Sequence, residues 1–274
     1  FDIGGFAGDF PTPELYLRAT AMAAFCPVMQ WHAEPRSGQF YYTDRERWVN
    51  DRSPWNLASL YNDPSIIHIY RKFANLRMNL LPYIYSEAIH CAKTARPLMA
   101  HLLIDCPEDP TVWEIHDQYM FGRDLLVAPI VYEGANQRTV YLPEGMWHNL
   151  FQGGTVMGGR TITYTCPMDE IPVFVRDGSA IPINLNEALT AGTVEVSGGV
   201  GNDTQRYTQL AFLCFGSARG ELQDDLGNRL VIEDGRVRGT GPITEVLLVD
   251  MTQPGSHVQL FGRGYSARRV LVSR

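Results

Sequence analysis

Two short segments near the start of the chain combine polar groups with backbone able to present them. Phe1-Asp2-Ile3-Gly4-Gly5-Phe6 puts a carboxylate at the end of a short apolar run, followed by two glycines that let the chain turn sharply. In a β/α barrel this is where a functional group is presented, at the C-terminal end of a strand. Taken alone the motif is weak, and a turn or helix-capping aspartate accounts for Asp2 better. The second segment, Phe25-Cys26-Pro27-Val28-Met29, runs into Gln30-Trp31-His32-Ala33-Glu34. His32 beside Trp31 offers an aromatic wall and a hydrogen-bonding ring, the combination a sugar requires, because its C–H face stacks while its hydroxyls need polar partners. A structural histidine satisfied by its neighbours is the alternative.

Other polar groupings carry less. His101, Cys106 and His116 match no common zinc spacing. Asp224-Asp225-Leu226-Gly227 lacks the ligand spacing of a calcium loop and reads as a turn. There is no phosphate-binding loop, no dinucleotide fingerprint and no nucleophile elbow. No cofactor and no metal is expected.

The elements that must position Asp2 and His32 are legible in outline. Thr12-Pro13 is an N-cap followed by a proline at the first helical position, where its missing N–H costs nothing. A helix over about 13–25 follows, with Leu15, Ala19, Met22 and Ala23 as its apolar stripe. Asp63-Pro64 repeats the start signal, and Ile66, Ile69, Tyr70, Phe73, Leu76 and Leu80 recur at the spacing of a core-facing helix, which Pro82 should kink or end. Strand, helix, strand, with a carboxylate and an imidazole at equivalent strand ends, is the closing portion of a β/α barrel. Beyond Pro97 short apolar runs alternate with Gly, Pro and Asn: Leu125 to Val131, Thr139 to Leu142, Ile171 to Val175, Ser179 to Ile183 and Thr244 to Val249. Without helical spacers these imply antiparallel sandwiches, and roughly 170 residues suffice for two. The expected class is therefore α/β plus all-β: the C-terminal end of a (β/α)8 barrel followed by two antiparallel β-sandwich domains, with a boundary near 182–193.

Several motifs occur in an order that resembles glycoside hydrolase family 31. They are Asp2 to Phe6, Glu14-Leu15-Tyr16-Leu17-Arg18, Pro27-Val28-Met29 with His32, Leu80 to Tyr85, Arg96-Pro97-Leu98, Asp117-Gln118-Tyr119 with Gly122 to Pro129, Pro143 to Trp147, and Ile171-Pro172-Val173 to Pro182. The likeness runs from about Asp2 to Pro182. It implies an enzyme that hydrolyses α-linked glycosides with retention, one aspartate attacking the anomeric carbon and another protonating the leaving oxygen. In the family both lie N-terminal to the Asp-Ile-Gly-Gly-Phe segment, so no catalytic residue is expected in this chain. What the resemblance carries over is substrate binding: Asp2 and His32 to sugar hydroxyls, with Phe6 lining the same subsite. Many members have an arginine where this chain has Gln30, and an amide replaces neither the charge nor the bidentate geometry of a guanidinium. The implied domains are residues 1–96, the incomplete barrel end; 97–183, a proximal β-sandwich; and 184–274, a distal one. The aromatic and charged stretch Ser37 to Asn56, including Phe40, Tyr41, Tyr42, Trp48, Asp51, Arg52 and Trp55, is either a loop over the site or loop packing.

Composition bounds the partners. With 274 residues, 45% of them hydrophobic, and a formal net charge of -7, the chain is globular and a poor match to nucleic acid, whose binders concentrate Lys and Arg. No apolar run approaches the roughly 18 residues that span a bilayer, so no membrane partner is expected. An oligosaccharide or α-glycoside is. Five widely spaced cysteines without a CxxC pair read as buried thiols of a reducing compartment, hence a cytoplasmic location. Opening on Phe1, the sequence is expected to continue upstream in the gene product. The rival readings are a non-catalytic carbohydrate-binding β-sandwich with a helical preface and, more remotely, an interaction scaffold.

Overall fold

The fold was obtained as a computed structural model, which describes residues 1–33, 52–193 and 207–274. Its helices are α1 (Pro13–Ala23), α2 (Pro54–Tyr61), α3 (Ser65–Asn79), α4 (Leu81–Thr94) and the single turn α5 (Leu102–Asp105). The Thr12 hydroxyl accepts from Leu15 N at 3.2 Å, capping α1 as its sequence predicts. Ser53-Pro54 repeats the device at α2, where Ser53 Oγ accepts from Asn56 N at 3.2 Å. At α3 the signal is displaced by one residue: Pro64 itself occupies the cap position, and Asp63 Oδ1 accepts from Ser65 N at 2.9 Å. The helix expected through Leu80 breaks there. Pro82 falls in the first turn of α4, where a proline has no backbone hydrogen bond to lose, so it opens a new helix.

Sixteen strands are present among the described residues. In chain order they are β1 (Met99–His101), β2 (Tyr119–Phe121), β3 (Leu125–Val127), β4 (Gln137–Leu142), β5 (Met146–Asn149), β6 (Thr155–Met157), β7 (Arg160–Thr165) and β8 (Val173–Arg176), then β9 (Ala180–Leu185), β10 (Thr190–Ala191), β11 (Gln209–Cys214), β12 (Arg219–Gln223), β13 (Arg229–Glu233), β14 (Arg236–Thr240), β15 (Glu245–Leu260) and β16 (Arg263–Ser273). A six-stranded sheet has the order β1-β2-β3-β8-β5-β6 and is wholly antiparallel, with β4 and β7 forming a separate antiparallel pair. The eight-stranded sheet runs β12-β13-β14-β16-β15-β11-β9, with β10 on β15. It departs from the antiparallel expectation, since β11 and β10 pair parallel to β15 and β14 pairs parallel to β16. β9 straddles the boundary expected at 183 and hydrogen-bonds to β11, so it belongs to this second sheet.

Strands buried on both faces explain the uninterrupted apolar runs. In β3 and β8, Leu125, Val127, Val173 and Val175 face one core while Leu126 and Phe174 face another, built with Val140, Leu142, Trp147 and Tyr164 under the β4–β7 pair. In β9 and β11, Ile181, Ile183, Ala211 and Leu213 join the first core, and Ala180, Leu210 and Phe212 a third. That first core is common property: Phe25, Phe73, Leu76 and Tyr83 of the helical segment pack with Phe121, Phe151, Leu213 and Phe261 of the sheets. Polar ties follow the same seams. Glu87 of α4, almost fully buried, takes Arg123 Nη2 at 2.6 Å, and the same nitrogen reaches Glu221 of β12 at 2.7 Å. Arg18 of α1 donates to the carbonyls of Pro167 at 2.8 Å, Cys166 at 3.1 Å and Ala135 at 3.2 Å.

Candidate functional site

Asp2 and Gln30 form a single parallel bridge, with Ile3 N donating to Gln30 O at 2.9 Å. The strand expected over 25–29 is thus reduced to one bridging residue, because Pro27 has no N–H to give and the turn after α1 uses the preceding amides. Even so, the bridge fixes two chain ends side by side. Gln30 Nε2 donates to Asp2 Oδ1 at 2.7 Å, and His32 Nδ1 stands 3.9 Å from the same oxygen. Phe6 closes the group, its ring centroid 5.2 Å from that of His32 at an interplanar angle of 52°. The side chain of Asp2 is 23% exposed and that of His32 67%, while Phe6 is 39% exposed. Acceptor, ring donor and apolar edge therefore share one open surface.

The chain is forced into this shape locally. After Asp2 it must reverse, and Gly4 and Gly5 take φ of +78° and +87° while Gly5 N closes the turn onto Asp2 O at 2.9 Å. A Cβ on Gly4 would stand 2.8 Å from Tyr16 Cδ2 and 2.9 Å from Pro11 Cγ, so only glycine fits. The approach to His32 is held from beneath. Arg77 of α3 donates to the carbonyls of Ala24, Cys26 and Pro27, the last at 2.7 Å, and Tyr119 Oη donates to Phe25 O at 3.1 Å. Burial of these groups shows in their ionisation: desolvation lowers the Arg77 pKa and raises those of Cys26 and Tyr119. The loop after Phe6 is pinned in the same way, with Arg52 Nη2 donating to Gly8 O at 2.8 Å and Asp9 O at 2.9 Å and lying 6.0 Å over the Phe10 ring.

Sequence reasoning singled out Asp2, Phe6 and His32, and all three meet here. It misassigned the aromatic wall. Trp31 packs toward the helices, against a core that includes Ile3, Tyr16, Leu17 and Leu57, and makes an edge contact with Trp55 at 6.4 Å, so Phe6 is the ring against His32. Arg52, read as a possible hydroxyl ligand, is buried as a loop anchor, whereas Trp55 is 60% exposed. Residues 37–51 of that stretch lie outside the described residues. Gln30, noted only as a substitution, is the direct partner of Asp2; its spacing two residues from His32, on the same side of an extended chain, was the available signal. His101 and His116 lie with centroids 6.1 Å apart, and His101 Nδ1 accepts from Leu103 N at 3.0 Å. Among the described residues no group of three or more His, Cys, Asp or Glu could hold a metal. Cys26 and Cys166 are buried, but Cys91, Cys106 and Cys214 are half-buried; all five are free.

Known proteins resemble this chain over most of its length. The model of the glycosyl hydrolases family 31 TIM-barrel domain matches residues 1–87, and that of the glycosyl hydrolase family 31 C-terminal domain matches residues 95–181. An isomaltosyltransferase of Sporosarcina globispora is 42% identical over 83% of this chain and 20% of its own length. Neutral alpha-glucosidase C of Mus musculus is 30% identical over 83% of this chain and 23% of its own. Among solved structures, the cycloalternan-forming enzyme from Listeria monocytogenes in complex with its pentasaccharide substrate superposes with a TM-score of 0.79 at 38% identity, over 93% of this chain and 24% of that one. The cycloalternan-degrading enzyme from Trueperella pyogenes in complex with cycloalternan gives a TM-score of 0.59 at 37% identity, over 65% and 24%. The chain thus spans between a fifth and a quarter of the length of these relatives. With both family domains matched in succession, the chain belongs to glycoside hydrolase family 31.

Proposed function

We propose that this chain supplies one wall of the sugar pocket in a retaining enzyme acting on α-glucosidic bonds, and that the attacking and protonating carboxyl groups come from other barrel strands of a longer polypeptide. The observation that carries this is the convergence of Gln30 and His32 on Asp2 Oδ1, with Phe6 against the His32 ring, at the ends of two bridged parallel segments. Asp2 then accepts from a ring hydroxyl, His32 donates to or accepts from a neighbouring one, and Phe6 covers the C–H face. Such contacts assist the reaction to the extent that they tighten as the ring flattens toward an oxocarbenium-like transition state. Whether water or a second sugar takes the glycosyl group, these residues do the same work. The relatives named as transferases and glucosidases support both acceptors.

In the same reading, residues 1–96 are the end of the catalytic barrel, and 97–183 and 184–274 are two β-sandwich domains. The two successive family matches support the first division. A free-standing sandwich with a helical preface is less well supported, because Phe25 and Phe73 of the helical segment are integral to the shared core.

The test uses the polypeptide that carries this chain and nitrophenyl α-glucoside. Asp2→Ala and His32→Ala each lower kcat/KM by about 100-fold or more, of the order lost with charged hydrogen bonds in an active site, while melting temperatures hold. Full activity of Asp2→Ala would refute the assignment. So would nitrophenol release by the 274 residues alone.

A further inference from the structure

Helix α3 is fastened on two sides. Its buried stripe, with Phe73 and Leu76 fully enclosed, packs into the core that also holds Ile181, Ile183 and Ala191 of the eight-stranded sheet. Along one flank of that stripe Lys72, Asn75 and Asn79 recur at the 3 and 7 spacing that keeps side chains on one side of a helix. Asn79, 3% exposed, donates through Nδ2 to Asn184 O of β9 at 2.8 Å and accepts from Gly192 N, just past β10, at 3.4 Å. Asn75 Nδ2 donates to Thr193 O at 3.0 Å, and Lys72 Nζ donates to Asp169 O at 2.7 Å and to its carboxylate at 2.8 Å. Arg77 leaves from the other flank, because two residues at roughly 100° each set it on the far side of the helix from Asn79. Its guanidinium donates to the carbonyls of Ala24, Cys26 and Pro27.

Those carbonyls belong to the stretch of chain that leads to Gln30 and His32. Ala24 is the C-cap of α1, at the end of a helix where carbonyls lack partners further along and a cation is favoured. A rigid guanidinium fork that gathers carbonyls from positions 24, 26 and 27 fixes the direction in which the chain leaves α1. That direction sets the reach of Gln30 to Asp2 Oδ1, 2.7 Å, and the stand of His32 Nδ1, 3.9 Å from the same oxygen. We infer that α3 is a strut through which the eight-stranded sheet positions the sugar-binding group: Asn79 seats the helix on β9, and Arg77 is a positioning residue that acts through His32. One backbone bridge between Asp2 and Gln30 gives the group little stiffness of its own. Groups that bind a reacting molecule must be held to within about 0.5 Å, and that stiffness comes from the packed element beneath. The β-structure thereby serves the reaction by holding geometry. This rests on the sugar-binding reading of Asp2 and His32.

The test is a double-mutant cycle on kcat/KM for nitrophenyl α-glucoside, in the polypeptide that carries this chain, pairing Arg77→Met and Asn79→Leu each with His32→Ala. In the native background Arg77→Met lowers kcat/KM about 100-fold, the cost of misplacing a group by about 1 Å, and does so mostly through kcat. Asn79→Leu lowers it about tenfold, the size of one hydrogen bond. With His32 already replaced, the two changes cost no more than about tenfold and about threefold, because the group they position is gone. Should either variant not fold, Arg77→Lys and Asn75→Ala enter the same cycle, each costing about threefold natively and nothing once His32 is replaced. A merely structural role lowers the amount of active enzyme by the same factor in both backgrounds, and equal factors overturn the inference. So does an Arg77→Met enzyme as active as the native one. Coupling to His32 from Arg77 but none from the asparagines overturns the role of the sheet. Full activity of His32→Ala overturns instead the reading beneath.

Discussion

Replacing Arg18 by methionine tests how the helical segment is fastened to the β-structure. Its guanidinium, on a residue only 8% exposed, donates to three carbonyl oxygens at 2.8, 3.1 and 3.2 Å, those of Pro167, Cys166 and Ala135, and reaches Cys166 Sγ at 3.3 Å. Hydrogen bonds from a charged donor contribute about 1.5–3 kcal/mol each, so three give a gross of about 4.5–9 kcal/mol. Against this stands the cost of holding a charge out of water, several kcal/mol, to which the buried and unpartnered Nε adds. Methionine keeps the apolar stem and leaves the carbonyls without their donor, so the expected loss is about 3–5 kcal/mol. Arg18→Lys, which reaches one or two of the oxygens, should lose about half as much. Urea unfolding gives the overall change, and hydrogen exchange locates it: α1 and the loops at 132–136 and 166–170 lose protection while β15 and β16 keep theirs. A shift under about 0.5 kcal/mol with unchanged exchange would mean that water satisfies the same carbonyls at no cost, and the clamp would be decorative.

Gly4→Ala forces a Cβ onto Tyr16 at φ +78° and should cost about 1–3 kcal/mol and weaken the sugar binding proposed for Asp2; a calorimetric scan with an isothermal titration on the polypeptide that carries this chain checks both. Trp147→Ala empties the second core, where the ring is fully buried, carries Arg176 4.9 Å above it and donates to Pro143 O at 2.9 Å; a loss of about 3–5 kcal/mol by urea unfolding is expected. Burial raises the Asp124 carboxyl pKa despite its bond from Ser179 Oγ at 2.8 Å, so its contribution to stability is present at low pH and lost as pH rises through the folded-state value. Asp124→Asn should therefore gain on the native protein between about pH 4 and pH 7, and a constant difference at both pH values would contradict this. Burial also pushes the Cys166 and Cys214 thiols up to about 11 and 12, which leaves almost no thiolate at neutral pH; iodoacetamide should modify them in the native protein only after unfolding.

Much of the architecture was written locally. Thr12-Pro13 and Ser53-Pro54 start helices because a side-chain oxygen and a proline satisfy the first turn without help from elsewhere. Gly4-Gly5 encodes the reversal after Asp2, since the required φ values belong to glycine. Runs such as Leu125 to Val127 announce strands with two buried faces, and the ordered motifs identified the family before any coordinates. These signals concern neighbours along the chain, so composition and spacing suffice to read them.

What the sequence by itself left open was settled by contacts between distant residues. Leu80 ends one helix and precedes another because Pro82 lies where a helix can begin, and the choice between kink and restart depends on packing around both helices. β9 joins the second sheet, β11 pairs in parallel with β15 and β14 with β16, because partner choice in a sheet depends on which edges tertiary packing leaves available. At the site, sequence supplied Asp2, Phe6 and His32, but their meeting depended on Arg77 and Tyr119 shaping the approach to Gln30 from elements some fifty to ninety residues away. Trp31 turned to the core and Phe6 took its place beside His32, since side-chain direction at a strand end follows the bridge that closes there. Composition determined which groups were available for chemistry; the tertiary structure decided which of them share an oxygen.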